Sequence, residues 1–180
     1  MIFTATPLRG AYLVDMNRAE DERGFFARSF CVEEFAARGL VAPVSQCSVS
    51  FNAKRATLRG LHFQAAPHDE DKLVRCTNGA IFDVIVDVRP ESPTHRQWFG
   101  AELTALNHRA LYIPKGFAHG FISMVDHTEV LYMISVPYAA GFARGLRWND
   151  PALGIRWPLR PLIISGRDAE YPLLDAPSAV

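Results

Sequence analysis

The sequence predicts an all-β domain, either a sandwich or a barrel. Short runs rich in β-branched and aromatic residues recur through the middle of the chain. Turn signals such as Asn78-Gly79 and Pro114-Lys115-Gly116 separate these runs at the spacing typical of sandwiches and barrels. The length of 180 residues fits a single domain large enough to bury a core.

One helix is predicted before the strands begin. The segment VEEFAAR, Val32–Arg38, carries acidic residues early, an arginine late and Gly39 as a stop signal. The predicted strands are TLRGLHFQ (57–64), IFDVIVDV (81–88), ALYIP (110–114), GFIS (120–123) and EVLYMISV (129–136). From Leu146 onward we expect irregular chain packed over the barrel, because four prolines lie between Pro151 and Pro172.

Alternation along two strands indicates which side chains share a face. In EVLYMISV, Val130, Tyr132, Ile134 and Val136 fall on one face. In TLRGLHFQ, strict alternation places Arg59 and His62 on opposite faces. A bend or bulge at Gly60 would let both side chains reach one ligand. The sequence does not decide between strict alternation and such a bulge.

Composition narrows the class of function. Nineteen basic and nineteen acidic side chains cancel, so overall charge predicts neither a nucleic-acid nor a membrane partner. No run approaches the roughly 18 apolar residues of a membrane span, and the first residues lack the pattern of a signal peptide. Cys31, Cys47 and Cys76 show no CxxC spacing, which favours reduced thiols in a cytoplasmic protein.

The stretch IPKGFAHGF, Ile113–Phe121, contains P-x-G-x-x-H and resembles the second motif of cupins, which are jelly-roll barrels. Many cupins bind a metal through two histidines and a carboxylate of a first motif and one histidine of the second. Here the first motif surrounds His62, and Gln64 stands where its partner histidine is usual. Two imidazoles without a nearby carboxylate make a poor transition-metal site. We therefore predict no metal, and we interpret His62 and His119 as catalytic or binding groups.

Several motifs in the same order resemble the dTDP-4-dehydrorhamnose 3,5-epimerase family. They are DERGFFARSF, TLRGLHFQ, KLVRCTNGAIFDVIVDVRPESPT, IPKGFAHGF and RWNDPALGIRWP. The resemblance extends from about residue 8 to residue 175. It implies one jelly-roll cupin domain over residues 1–180, with a few short helices. It also implies a homodimer in which an N-terminal strand crosses to the partner.

The resemblance implies epimerisation of a nucleotide-linked 4-keto-6-deoxy sugar at C3, C5 or both, without a redox cofactor or metal. His62 would be the base, and Asp168 would bind the other ring nitrogen of His62. Tyr132 would be the acid across the sugar ring, and Lys72 would stabilise the enolate oxygen. The resemblance implies substrate contacts from Arg23, Arg28, Gln46, Ser48, Arg59, His119, Tyr138 and Arg167, among which Arg59 would grip the diphosphate.

Three positions depart from the family pattern. Arg28 and Ala143 stand where glutamates are usual, and Ser48 stands where an asparagine is usual. These changes indicate either a site retuned for another nucleotide, such as CDP or GDP, or for another sugar, or else drift within one specificity. Two rival functions also stay open at this point: a metal-dependent cupin enzyme and a non-catalytic cupin that binds sugar nucleotides.

Overall fold

Two β-sheets packed face to face make up most of the computed structural model, which describes residues 1–174. The strands in chain order are β1 (Ile2–Ala5), β2 (Tyr12–Asp15), β3 (Arg18–Asp21), β4 (Gly24–Ala27), β5 (Gln46–Asn52), β6 (Thr57–Gln64), β7 (Lys72–Asn78), β8 (Ala80–Asp87), β9 (Trp98–Thr104), β10 (Ala110–Ile113), β11 (Phe117–Ser123), β12 (Thr128–Ile134), β13 (Ala143–Gly145) and β14 (Ile163–Ile164). Two short helices, α1 (Val32–Ala36) and α2 (Gly166–Glu170), and a 3-10 turn (Ala140–Phe142) complete the described elements.

The first sheet has the strand order β1-β2-β10-β7-β12-β5, and the second has the order β13-β6-β11-β8-β9. Neighbours within these orders are antiparallel, and β14 pairs with β6 in parallel. β3 and β4 form a separate two-stranded hairpin. Because most neighbours are distant in sequence, the fold depends on long-range pairing, as jelly rolls do.

Apolar side chains from both sheets meet in the space between them. Val74 and Val130 of the first sheet and Ile85 of the second are fully buried in one cluster. Tyr132 packs against that cluster, and Phe121 belongs to it. The core therefore supports the cavity that these last two residues also line.

The all-β prediction is confirmed, and its strands correspond to β6, β8, β10, β11 and β12. The predicted helix is α1, which ends two residues before Arg38. The prediction of a wholly irregular tail is wrong, because β14 pairs with β6 and because Ser165 caps α2 by accepting a hydrogen bond from the Asp168 N–H. Residues 175–180 of the predicted domain lie outside the described residues. Within residues 1–174, no helix has both the length and the apolar character required to cross a membrane.

Candidate active site

A cavity of about 680 Å³ opens between the two sheets, a volume in the range of small-molecule sites. Strands β5, β7 and β12 form one wall, and β6 and β11 form the opposite wall. The segment that ends in α2 contributes a third side. Ten of the twelve predicted site residues line this cavity: Gln46, Ser48, Arg59, His62, Lys72, His119, Tyr132, Tyr138, Arg167 and Asp168.

A bulge in β6 brings Arg59 and His62 to the same wall. His62 pairs with His119, but Arg59 pairs with Phe121, so three steps along β6 match two along β11. The extra residue reverses the alternation after Arg59. Gly60 makes the bulge possible because a Cβ at this position would lie 2.5 Å from the Cα of Gly120. The chain therefore adopts the arrangement in which Arg59 and His62 line the same cavity.

His62 is paired with a buried carboxylate. Its Nε2 lies 2.6 Å from Oδ1 of Asp168, and Oδ2 of Asp168 accepts a hydrogen bond from the Gly60 N–H at 3.1 Å. Burial acts to raise the pKa of Asp168, but the hydrogen bonds from His62 and Gly60 outweigh it and hold that pKa below its ordinary value. Asp168 is thus an anion that fixes the orientation of the His62 ring.

Lys72, the first residue of β7, places its ammonium group beside this pair. Its Nζ lies 2.7 Å from Oε1 of Glu70 and 3.4 Å from the backbone oxygen of His62. Both members of the Lys72–Glu70 ion pair are buried. A cation is therefore held close to the histidine in a setting with little water, where its charge acts strongly on a neighbour.

Tyr132 faces the cavity from the wall opposite His62. Its ring centroid lies 5.8 Å from that of His119, in an edge-to-face arrangement. Burial raises the pKa of Tyr132 well above its ordinary value, and the nearby charge of Asp83 acts in the same direction. Tyr132 therefore retains its proton at neutral pH. Its position on an inward strand face agrees with the alternation in the sequence.

His119 is joined to a second buried carboxylate. Its Nε2 lies 2.8 Å from Oδ1 of Asp83, which is fully buried on β8. Burial raises the pKa of Asp83, and the charges of His119 and Lys72 oppose that rise. The two histidines that line the cavity thus lie on adjacent strands, and each bonds a buried carboxylate; His62 is the more exposed of the two.

Two hydrogen bonds on one edge of its guanidinium group orient Arg59. Its Nε donates to Oδ1 of Asn52 at 2.8 Å, and one terminal nitrogen donates to the backbone oxygen of Phe51 at 3.2 Å. Both acceptors are neutral, so the positive charge of Arg59 is not neutralised by either. An arginine held in this way is suited to a phosphate oxygen.

The remaining predicted contacts lie toward the cavity mouth. Gln46 accepts a hydrogen bond from the Tyr138 N–H at 2.8 Å, which ties β5 to the segment after β12. Tyr138 is largely exposed. Arg167 lies in α2, with its guanidinium carbon 5.8 Å from the ring centroid of Tyr171. An open mouth with aromatic and cationic side chains fits a planar, anionic ligand.

Arg23 and Arg28 are not brought to this cavity within one chain. Arg23 lies at the turn of the exposed β3–β4 hairpin and pairs with Asp21. Arg28 follows the hairpin, 3.6 Å from Glu34. Of the three departures from the family pattern, Ser48 and Ala143 line the cavity and Arg28 does not. The local change in charge is therefore smaller than the sequence pattern indicates.

Gln64 has a structural role where many cupins have a metal ligand. Its Oε1 accepts from the Ala139 N–H at 2.6 Å, and its Nε2 donates to the backbone oxygen of His68 at 2.9 Å. These bonds join two loops at the cavity rim. In the described part of the chain, no group of three or more His, Cys, Asp or Glu side chains is placed to hold a metal ion.

Two buried acids that bond residues of the site, Glu70 and Asp83, were not predicted from the sequence. A signal for Asp83 exists, because an acid inside the apolar run IFDVIVDV needs a buried partner. Glu70 precedes Lys72 by two residues, a spacing that carries no pattern by itself. Its role becomes visible only when the loop before β7 is folded.

The profile of a known protein family, dTDP-4-dehydrorhamnose 3,5-epimerase, matches residues 5–176. The dTDP-4-dehydrorhamnose 3,5-epimerase of Sinorhizobium fredii (strain NBRC 101917 / NGR234) is 41% identical over 175 residues, which cover 97% of this chain and 90% of that protein.

Two solved structures extend the similarity to three dimensions. The dTDP-4-dehydrorhamnose 3,5-epimerase of Bacillus anthracis strain Ames, with TDP and PPi bound, has a TM-score of 0.92 and 43% identity, covering 96% of this chain and 99% of that one. The dTDP-6-deoxy-D-glucose-3,5-epimerase of Legionella pneumophila Philadelphia 1, in complex with dTDP-4-keto-L-rhamnose, has a TM-score of 0.88 and 34% identity, covering 96% of this chain and 92% of that one.

Proposed function

Because the chain belongs to the dTDP-4-dehydrorhamnose 3,5-epimerase family, we propose that its cavity inverts carbon centres of a nucleotide-linked 4-keto-6-deoxy sugar through His62, Tyr132, Lys72 and Asp168. The chain is an epimerase, an enzyme of the isomerase class, and it acts on a nucleotide sugar in deoxysugar biosynthesis. The single observation that carries the residue assignment is the His62–Asp168 pair on the wall opposite Tyr132.

The first step is removal of a proton from C3 or C5. Both carbons adjoin the C4 keto group, so the pair of electrons left behind is delocalised onto the keto oxygen as an enolate. His62 takes the proton, and the Asp168 anion at 2.6 Å stabilises the imidazolium that forms. Asp168 engages Nε2, so the nitrogen that accepts the proton is Nδ1.

Lys72 stabilises the enolate oxygen in this mechanism. Its ammonium group is fixed by Glu70 and lies 3.4 Å from the backbone oxygen of His62, close to the base. A cation fixed in a buried site stabilises developing negative charge without reorganising at the moment of reaction.

Tyr132 returns a proton to the opposite face of the ring. It stands on the first sheet and His62 on the second, so the two groups approach the sugar from opposite sides. Burial keeps the Tyr132 pKa high, so the phenol holds its proton until the enolate takes it. No electron leaves or enters the sugar, so the reaction needs no redox cofactor, and Lys72 supplies the positive charge at the enolate oxygen.

Arg59 binds the diphosphate of the substrate in this proposal. The bulge at Gly60 places this arginine on the same wall as His62, so the anion anchor and the base face one ligand. The residues assigned to further contacts with the sugar nucleotide are Gln46, Ser48, His119, Tyr138 and Arg167.

Arg23 and Arg28 reach a substrate only if a second copy of the chain brings them there. We therefore propose a homodimer in which N-terminal residues of each copy extend to the site of the other. The β3–β4 hairpin is exposed along its length, and Phe26 within it is 82% exposed. β5 is an edge strand with Val49 and Phe51 exposed, and such an edge favours association.

Mixing of inactive subunits tests the homodimer. Arg23→Ala subunits mixed with His62→Ala subunits should recover about a quarter of wild-type activity, because half of the dimers are mixed and one of their two sites is intact. Light scattering of the wild type checks the assembly. No recovery, with mixed dimers demonstrated by mass spectrometry, would remove Arg23 from the partner's site.

A retuned nucleotide site is the alternative form of this function. Ser48 and Ala143 line the cavity at positions where the family pattern has an asparagine and a glutamate. A lost hydrogen bond to a charged group costs about 1.5–3 kcal/mol, or about 10- to 150-fold in affinity. The alternative predicts that calorimetry will show tighter binding of CDP or GDP than of dTDP. A tenfold higher affinity for dTDP would refute the alternative.

The location proposed is the cytoplasm. Cys31, Cys47 and Cys76 are free thiols in the structure, which suits a reducing compartment. The equal numbers of basic and acidic residues favour neither a nucleic acid nor a membrane as partner.

The test of the function is incorporation of solvent deuterium. Wild-type protein is mixed in D2O with dTDP-, CDP-, GDP- and UDP-linked 4-keto-6-deoxyglucose, and proton NMR follows the C3 and C5 signals. We expect deuterium exchange and inversion at C3, C5 or both with the substrate that carries one of these nucleotides. Elemental analysis of the same sample addresses the metal-dependent alternative. Binding without exchange in every series would support the non-catalytic alternative and refute the proposal.

A further inference from the structure

Glu70 is a buried acid of the cavity that the mechanism above uses only as a neighbour of Lys72. It is 8% exposed and lines the cavity. Oε1 lies 2.7 Å from the ammonium group of Lys72. The second oxygen, Oε2, is buried and has no hydrogen-bond partner among residues 1–174.

The residue that follows Glu70 is firmly held. The Asp71 N–H donates to the Ser135 hydroxyl at 2.8 Å, and the Ser135 N–H donates to the Asp71 backbone oxygen at 3.0 Å. The Asp71 side chain accepts from the Tyr112 hydroxyl at 2.8 Å. Glu70 therefore projects from a rigid point of the chain, which suits a binding residue because little mobility is lost on binding.

A buried carboxylate oxygen without a donor is costly, and Glu70 lines the cavity, so this residue calls for a ligand that donates a hydrogen bond. A phosphate at neutral pH offers acceptors and negative charge, which a carboxylate repels. A sugar hydroxyl offers a donor. Lys72 bonds Glu70 and lies beside the backbone of His62, so the oxygen is near the base and not at the exposed mouth.

We propose that Glu70 binds a hydroxyl of the sugar ring through Oε2 while Oε1 holds Lys72 in place. This inference rests on the proposed function, since it takes the ligand to be a sugar nucleotide. One carboxylate then recognises a hydroxylated ring and fixes the cation that acts on the same ring. A ring lacking that hydroxyl would leave Oε2 unpaired and would be bound less tightly.

Calorimetry separates the sugar contact from the nucleotide contacts and from turnover. The probes are dTDP and dTDP-glucose, which lacks the keto group and does not react. In Glu70→Gln, the ratio of dTDP-glucose affinity to dTDP affinity should fall about tenfold, the low end for a hydrogen bond to a charged group. The affinity for dTDP itself should stay within twofold, because no phosphate contact is assigned to Glu70.

Asp71→Asn is the matched control, because Asp71 is an adjacent buried acid that bonds Tyr112 and does not line the cavity. Its affinity ratio should stay within twofold of the wild type. Turnover of the 4-keto substrate should show a kcat at least tenfold lower in Glu70→Gln than in Asp71→Asn, compared at a temperature where both are folded. Glu70→Asp, which keeps the charge on a shorter stem, should show an affinity ratio between those of the wild type and Glu70→Gln.

Several results would overturn the proposal. The first is a Glu70→Gln variant whose ratio of dTDP-glucose affinity to dTDP affinity is unchanged, and the second is an equal loss of affinity for both probes. If Glu70→Gln fails to fold, the deciding result is a wild-type affinity ratio in Glu70→Asp. Failure of the epimerase function gives a different pattern, with no exchange in wild-type protein. The affinity ratio would then still decide whether Glu70 contacts the sugar.

Discussion

Replacement of Asp168 by asparagine is the sharpest test of the His62 assignment. The Gly60 N–H donates to Oδ2 of Asp168 at 3.1 Å and requires an acceptor, so the asparagine amide oxygen will stay there. The amide NH2 then faces Nε2 of His62, which must act as acceptor. A neutral His62 ring therefore carries its proton on Nδ1. The mechanism requires Nδ1 to be unprotonated, because this nitrogen accepts the proton from the sugar. The charge that stabilises the imidazolium is lost as well.

The size of the effect follows from these contacts. A hydrogen bond to a charged group contributes about 1.5–3 kcal/mol, so kcat should fall about 10- to 150-fold. Complete removal of a general base costs up to about 10⁴-fold. Asp168→Asn should therefore lose less activity than His62→Ala, and the double variant should lose no more than His62→Ala alone, because both changes disable one unit.

The assay is the rate of deuterium incorporation at C3 and C5 at neutral pH. Asp150→Asn is the matched control: Asp150 is equally buried, but it accepts hydrogen bonds from the Ala152 and Leu174 N–H groups, away from the cavity. Its kcat should stay within twofold of the wild type. An Asp168→Asn variant that keeps half or more of the wild-type kcat would refute the role given to the pair.

Three further predictions concern catalysis and acid stability. His62→Ala should fold normally and lose exchange at both carbons by about 10²–10⁴-fold, measured by NMR, and wild-type exchange would contradict its role as base. Tyr132→Phe should permit slow deuterium incorporation without full inversion, because His62 can return a proton to the face it came from; complete loss of incorporation would mean that Tyr132 is needed to form the enolate. Asp87 is fully buried, and although burial opposes its ionisation, hydrogen bonds from Arg89 and two hydroxyls lower its pKa to about 2. A depressed folded-state pKa stabilises the fold above the unfolded pKa near 4, so wild-type protein should lose about 2 kcal/mol relative to Asp87→Asn as the pH falls from about 4 to about 2, measured by urea unfolding.

Much of the fold could be predicted because its signal is local. β-Branched runs and turn residues identified β8, β10, β11 and β12, and the motif around His62 identified β6. The β3–β4 hairpin gives no such signal, because the first of its strands, Arg18–Asp21, is mostly polar, exposed throughout and shows no alternation between a core face and a solvent face. Such strands form because they pair with particular neighbouring strands, and those pairings cannot be read from the local sequence.

The site was predictable by residue type and less so by geometry. The motifs around His62 and His119 identified side chains that do meet in one cavity. The bulge at Gly60 could not be fixed from β6 alone, because it depends on the close approach of Gly120 on β11. Arg23 was assigned to the site by resemblance, and the fold of a single chain leaves it outside the cavity.

In the proposed mechanism, the placement of Tyr132 and His62 on different sheets gives the interior of the sandwich an influence on stereochemical fidelity. The distance between the group proposed to remove the proton and the group proposed to return it depends on the thickness of the apolar layer, where Val74, Ile85 and Val130 are packed. Truncation of such a side chain leaves a cavity that its surroundings fill only partly. A slightly thinner or looser layer would leave His62 able to start the reaction while Tyr132 reached the ring less often. The enolate would then return to the starting sugar more frequently, and the ratio of inversion to exchange would report on packing at residues that never touch the substrate.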